Sequence, residues 1–264
     1  MSLSFTLYLA LALYALGTLI VLGSLVFQSH GWQRPATALM GVGFLSHTVW
    51  IGTICSISGH PPITNLPETT SFIAWTILLV KLVLWLRYRV DAASFLIYPL
   101  VFLLLGVSAV VGERYQPLAP ELRSNIFIAH LLLTTVGIAA LLVGVGFTVL
   151  YQIQERSLRD KKRGALWEWI PSLRICDWVS YRALSIGFAI YTVGLVAGIL
   201  FSYRTSAPEW SPGIKEYGAF VAWILFAALL QSYIAGSYRE RRTLVIAGMA
   251  FVSIFVSLLG IAHV

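Results

Sequence analysis

Long apolar runs separated by short polar segments dominate this sequence. Runs of roughly 20 residues, the length that crosses a hydrocarbon core, recur along almost the whole chain. None shows the alternation of a barrel strand, so the backbone is expected to satisfy its hydrogen bonds within helices. The pattern predicts an all-α, polytopic integral membrane protein with about eight transmembrane helices, at 4–27, 36–57, 68–88, 91–112, 124–153, 179–202, 216–236 and 243–262.

Composition supports one membrane domain covering 1–264. Hydrophobic residues make up 58% of the chain and charged residues only 11%, which leaves no room for a sizeable soluble domain. The first apolar run, 3–27, lacks a basic leading region and a small-residue cleavage site, so it is expected to remain as a helix. No fixed-period repeat is apparent in the sequence.

The basic residues predict the orientation. Placing the segments after helices one, three, five and seven on one side collects fourteen Lys and Arg residues there and leaves four on the other. This asymmetry predicts both termini outside, a basic cytoplasmic loop at 155–177 and an outer loop at 203–216. The net charge of +7 is spread over short loops and forms no groove-sized patch, so nucleic acid is not an expected partner. We expect a multi-pass protein of a bacterial inner (plasma) membrane.

Histidines are the first candidates for chemistry, because imidazole ligates haem iron and buried polar groups are costly in a bilayer. The predicted topology puts His130 and His263 near the outer surface, on helices five and eight. His60 lies in the outer loop after helix two, and His47 near the middle of helix two. Two histidines at similar depth could bind one haem iron from both faces. Taken alone, each histidine fits a helix-packing or interface role better than a ligand role.

The outer loop 203–216 supplies a second set of candidates. Trp210 could stack on a flat porphyrin, while Lys215 and Arg204 could pair with its propionates. The alternative is a tryptophan of the interfacial aromatic belt. The sequence contains no phosphate-binding glycine loop, hydrolytic triad or zinc motif, and no acidic residue lies deep in a predicted span.

Several segments together resemble the CcsA/HemX group of cytochrome c assembly membrane proteins. The stretch Gly59–Thr69 resembles that family's Gly-x-x-Pro-x-x-Asn-x-x-Glu motif, and Ser124–His130 the segment with its first external haem-ligand histidine. The ending Leu258–His263 is similar to its second external histidine segment. A further match, to the family's sixth helix, consists of Asp177–Arg182 with Gly187, Phe188, Thr192, Gly194 and Gly198.

The sequence also departs from the family pattern. Pro212 and Gly213 stand where the family's tryptophan-rich motif has Trp and Asp, and Gln231 stands where its cytochrome synthases have a transmembrane haem-ligand histidine. These differences resemble the HemX-like branch more than a complete haem lyase.

The resemblance implies a function in cytochrome c biogenesis, holding or relaying haem b at the outer face. His130 and His263 would be axial ligands, Trp210 a stacking platform, and Lys215 or Arg204 propionate partners, with His47 and His60 as weaker candidates. The chain is not expected to be an enzyme alone, and a membrane partner subunit would receive the apocytochrome. The alternatives are a haem-free regulatory or assembly subunit of the same fold and a haem-b electron-transfer anchor.

Overall fold

The computed structural model describes residues 3–88, 93–112, 124–161, 167–206, 213–236 and 241–259. All regular secondary structure within these ranges is helical. Two short 3-10 turns, His30–Trp32 and Trp167–Trp169, accompany eight α-helices: α1 Leu3–Val26, α2 Gln33–Ser58, α3 Leu66–Tyr88, α4 Ser94–Val111, α5 Asn125–Arg159, α6 Leu173–Ser206, α7 Ile214–Ile234 and α8 Arg241–Leu259.

The prediction of a polytopic helical membrane protein is confirmed. Among the described residues, the helices α1 to α7 are long and apolar enough to cross a membrane. In α8 the apolar part that qualifies is shorter, Arg242–Ile254. Two helices extend beyond the apolar runs that predicted them: α5 continues to Arg159 and α6 already begins at Leu173. The segment between them is therefore shorter than the predicted basic loop 155–177.

Residue contacts show that α1, α2 and α3 alternate in direction, as do α5, α6 and α7. We call the end of the bundle at which α1, α3, α5 and α7 begin the outer end, after the side to which the basic residues assign it. The helices α1 to α4 pack on one another, as do α5 to α8, and α3 packs against α5 to join the two groups. We call these groups the first unit and the second unit.

Glycines bring α5 and α6 into close contact. A Cβ atom on Gly137 of α5 would lie 2.8 Å from the backbone of Tyr191 in α6, and one on Gly194 of α6 would lie 2.8 Å from Thr134 in α5. Such positions tolerate no larger side chain without a shift of the backbone. Close approach through small residues is the usual way in which helices associate inside a membrane, where the hydrophobic effect does not favour one apolar face over another.

An aromatic cluster joins α2 to α3 in the first unit. The indole N–H of Trp75 donates a hydrogen bond of 2.9 Å to Oγ1 of Thr48. The rings of Phe44 and Phe72 stack on Trp75, with centroids 5.3 Å and 5.7 Å from it. The Thr48 hydroxyl in turn donates to the carbonyl oxygen of Phe44. The indole of Trp75 thus stacks with two phenylalanines, and a threonine hydroxyl accepts the hydrogen bond from its N–H group.

The second unit contains the same cluster between α6 and α7. Trp223 donates its indole N–H to Oγ1 of Thr192 at 2.9 Å. Phe188 and Phe220 stack on its ring at 5.6 Å and 6.0 Å, and the Thr192 hydroxyl donates to the carbonyl oxygen of Phe188. Both clusters have the spacing Phe-x-x-x-Thr on one helix and Phe-x-x-Trp on the next.

The contacts between the first two helices of each unit correspond as well. In the first unit Gly17 of α1 packs against Met40 of α2, and in the second unit Gly144 of α5 packs against Leu184 of α6. The segments Gly43-Phe44-x-x-His47-Thr48-Val49 and Gly187-Phe188-x-x-Tyr191-Thr192-Val193 share four identical residues in register. The chain is therefore a tandem repeat of a four-helix unit, which sequence analysis alone did not find.

Candidate functional site

His130 lies in the second turn of α5, at the outer end. Ser124 caps the start of the helix, and its hydroxyl accepts a hydrogen bond from the amide of Ile126. From this position the partly buried imidazole reaches across to α6, where Nδ1 donates to the carbonyl oxygen of Gly194 at 2.7 Å. A Cβ atom on Gly198 would lie 2.6 Å from two atoms of the ring. The glycine leaves the space that the imidazole occupies.

This contact fixes the chemical state of the ring. A carbonyl oxygen only accepts hydrogen bonds, so Nδ1 carries the proton and, in the neutral imidazole, Nε2 carries the lone pair. Histidine ligands of metals usually have this arrangement, with the second nitrogen donating to a carbonyl that orients the ring. The α5–α6 interface thus fixes the orientation of the His130 ring.

The other residues of the predicted outer site are described less completely. His263 and Trp210 lie outside the described residues. Lys215 belongs to the first turn of α7, and Arg204 is exposed in the last turn of α6. The structure therefore places the start of α5, the end of α6 and the start of α7 at the outer end. Whether all five side chains meet there stays a prediction.

His47 is part of the core of the first unit. Its ring is fully buried in α2 and hydrogen bonds with Tyr14 of α1 through Nδ1 at 3.3 Å and with Ser71 of α3 through Nε2 at 2.7 Å. Trp50 packs beside it at a centroid distance of 5.8 Å. Because hydroxyl groups occupy both nitrogens, this geometry supports a packing role that links three helices.

The segment that contains His60 is a folded loop. Gly59 ends α2 with a φ of 74°, a conformation that favours glycine. The side chain of Asn65 accepts a hydrogen bond from the amide of Glu68, and the carboxylate of Glu68 accepts from both the amide and the hydroxyl of Thr64. The Gly-x-x-Pro-x-x-Asn-x-x-Glu spacing therefore has a structural role, since its Asn and Glu close the loop onto the start of α3.

His60, within this loop, is itself buried. Its Nδ1 donates to the carbonyl oxygen of Pro61 at 2.8 Å, while its buried Nε2 has no hydrogen-bond partner among the described residues. A lone pair without a donor is unfavourable in a buried position. Sequence reasoning gave His60 a weak ligand role, and the structure shows a second outer-end imidazole with Nε2 as its unprotonated nitrogen.

Sequence reasoning missed two kinds of buried polar group. Glu68 is 3% exposed, and Lys81, about two turns before the end of α3, is 1% exposed. The sequence pattern alone did not identify either residue as buried. The signal available was their position inside or beside an apolar run, where an ionisable side chain requires compensating contacts.

One comparison covers α3, α4 and the whole second unit. The family model for the Cytochrome C assembly protein matches residues 63–264, which is more than half of the chain. The chain belongs to the cytochrome c assembly protein family. The matched region includes Glu68, His130, the outer loop 203–216 and His263, so the resemblance drawn from those segments is confirmed at the level of the family.

Individual relatives agree with this assignment. The chain is 26% identical over 275 residues to the cytochrome c biogenesis protein CcsA of Guillardia theta, covering 97% of this chain and 89% of that protein. It is 27% identical to CcsA of Prochlorococcus marinus strain MIT 9301, over 78% of this chain and 74% of the relative. For CcsA of Chlorella vulgaris the identity is 28%, with coverages of 77% and 75%. A role in cytochrome c assembly therefore follows for this family member.

Proposed function

We propose that this family member holds or relays haem b at the outer end for a partner protein in cytochrome c assembly. The observation that carries the proposal is the orientation of His130, whose Nδ1 is held by the Gly194 carbonyl while Gly198 leaves room for the ring. A helix-packing histidine needs only a hydrogen-bond partner. A histidine that must offer Nε2 in one direction also needs a fixed tautomer.

The residues present fit a haem with respect to donor chemistry. His130 and His263 are the proposed axial ligands, and imidazole is the usual ligand for haem iron in electron-transfer and haem-binding proteins. Trp210 is the proposed stacking surface, and Lys215 or Arg204 would neutralise the propionates. His60, with its unpartnered Nε2, is a further ligand candidate at the same end. His47 keeps a role in packing.

The cofactor, when bound, would supply the vinyl groups to which cytochrome thiols are joined. The contribution of this chain is orientation, because cofactor chemistry belongs to the cofactor and positioning to the protein. The α5–α6 interface holds the ligand nitrogen, and the outer-end cations keep the charged propionates in place. The chain is proposed to act with a membrane partner subunit that receives the apocytochrome, in a bacterial inner membrane.

The optical spectrum of the purified protein in detergent tests the proposal. We expect a reduced b-type spectrum that His130→Ala abolishes and that added imidazole restores. His30→Ala is the matched control, because His30 lies in the short turn before α2 at the opposite end of the bundle. Loss of the spectrum in both variants would indicate a general folding defect.

A haem-free assembly subunit is the second candidate, favoured by Gln231 in α7 and by Pro212 and Gly213 in the outer loop. A colourless preparation that also fails to take up added haem would establish this candidate and overturn the proposal. An unchanged spectrum in His130→Ala would place any haem at another ligand.

A further inference from the structure

The tandem repeat allows each helix of one unit to be compared with its counterpart in the other. The aromatic clusters align α3 with α7, because Phe72 and Trp75 correspond to Phe220 and Trp223. The close glycine contacts align α1 with α5, because Gly17 corresponds to Gly144. Corresponding helices make the same contacts inside their units. They differ in what covers the face that points away from the unit.

The outward face of α3 is covered. Ile73 is 0% exposed and Thr76 is 5% exposed. The helix of the second unit that packs on α3 is α5. In α7 the corresponding residues are Val221 and Ile224, and each is 47% exposed. The α7 stripe, which we define as Tyr217, Phe220, Val221, Ile224 and Ala228, is therefore an uncovered counterpart of a face that a helix covers in the first unit.

The partner surface shows the same difference. On α5, Thr135 is buried and Val143 is only 4% exposed. On α1 the corresponding residues are Tyr8 and Leu16, which are exposed, Leu16 to 51%. The α1 stripe, defined as Tyr8, Ala12, Leu16 and Leu19, is thus the uncovered counterpart of the α5 face.

The α7 stripe and the α1 stripe correspond to the two faces that meet in the α3–α5 contact. Within the chain, the third helix of the first unit receives the first helix of the second unit, which is a head-to-tail contact. A head-to-tail contact leaves one unsatisfied face at each end of the pair, and repeating it generates a ring or an open array. Here the unsatisfied faces are the α7 stripe and the α1 stripe, and both belong to the same chain.

We propose that the α7 stripe binds the α1 stripe of a second copy of this chain, repeating between copies the α3–α5 contact that joins the two units. The register follows from that contact. Ile77 of α3 lines a small cavity together with Val143 and Gly146 of α5. If the same register holds between copies, Ile224 and Leu225 of one chain contact Leu16 and Leu19 of the other.

Cysteine cross-linking between two differently tagged full-length chains tests this contact. One chain carries Leu19→Cys and the other Ile224→Cys, both in a background with Cys55→Ser and Cys176→Ala, and they are oxidised together in native membranes. We expect a cross-linked band that contains both tags. The control pairs Leu19→Cys with Val193→Cys, a position on α6 that is 57% exposed, and we expect the band to be lost.

Each other outcome overturns the inference. A band between two Ile224→Cys chains would show a symmetric α7–α7 contact, and a band with a different polypeptide would identify another membrane protein as the occupant. Absence of any band, while both cysteines react with a membrane-permeant maleimide, would show that lipid covers the stripe. The unmodified chain provides a second measurement: native mass spectrometry from membranes is expected to show two or more copies, and a monomer alone overturns the proposal. None of these outcomes depends on haem.

Discussion

Nδ1 of His130 donates a hydrogen bond of 2.7 Å to the carbonyl oxygen of Gly194 across the α5–α6 interface. The carbonyls of a helix normally accept from the amide four residues later, so this one takes an additional donor from a neighbouring helix. The contact is possible because glycines at 194 and 198 let the two helices approach. The orientation of the proposed ligand therefore depends on how closely the helices pack.

Enlarging Gly198 tests this dependence. In Gly198→Ala the new methyl group would lie 2.6 Å from the imidazole of His130, so either the ring or the helix must move. Overpacking of this kind costs about 1–3 kcal/mol of stability. We expect a lower thermal unfolding temperature in detergent and weaker haem absorption. Gly52→Ala, at a helical position with no atom near the added methyl, is the control, and equal behaviour of the two variants would contradict the prediction.

Double-mutant cycles should give similar coupling energies for the two aromatic clusters. Each cycle combines Trp→Phe with Thr→Val, at Trp75 and Thr48 in the first unit and at Trp223 and Thr192 in the second. Hydrogen bonds between membrane helices couple by about 0.6 kcal/mol on average. The measurement is reversible unfolding in mixed micelles. A coupling in one unit and none in the other would argue against equivalent clusters.

Removing the buried imidazole of His47 should affect stability and leave any haem unchanged. In His47→Leu the hydroxyls of Tyr14 and Ser71 lose their shared partner, and a buried unsatisfied polar group costs about 1–3 kcal/mol. Unfolding in mixed micelles measures the loss, and the optical spectrum of the folded fraction measures haem. The electron-transfer anchor makes the opposite prediction, since it requires a mid-membrane histidine ligand. Loss of the spectrum in a stable His47→Leu protein would therefore favour that alternative.

Glu68 should control the opening of the loop above His60. In Glu68→Ala the amide and hydroxyl of Thr64 lose their acceptor. A lost hydrogen bond to a charged group, about 1.5–3 kcal/mol, corresponds to amide exchange faster by a factor on the order of 10–100 if the loop opens independently of the bundle. Hydrogen exchange of a peptide covering 59–65 measures this effect. Glu216→Ala, which removes the acceptor of the Gly213 amide in the second unit, is the control and should leave that peptide unchanged.

The helical membrane scaffold could be predicted from the sequence because its cause is local. A run of about 20 apolar residues is favoured in the bilayer whatever surrounds it, and its backbone can be satisfied only as a helix. The same reasoning identified His130 as a candidate, since an imidazole near the start of a span is visible in the sequence. The ends of α5 and α6 were less predictable, because polar residues such as Arg159 and Arg204 extend a helix beyond the hydrocarbon region.

The repeat illustrates what the sequence leaves undecided. The two units share few identical residues, and the shared ones, such as Trp75 and Trp223, become recognisable as counterparts only when their indoles are seen to donate to equivalent threonines. Likewise, nothing local distinguishes Ile73, which is fully buried, from Val221, which is exposed. Both are apolar residues at the same position of corresponding helices.

The sequence by itself determined that this chain crosses a membrane several times as helices, and it supplied the histidines and the loop residues from which the site is proposed. Only the tertiary structure decided which helix faces meet, that His47 is held by Tyr14 and Ser71, and that the Gly194 carbonyl fixes the tautomer of His130. The physical reason is that all sides of a membrane helix are apolar. Hydropathy therefore carries no information about partners, which depend on glycine contacts and hydrogen bonds between distant residues.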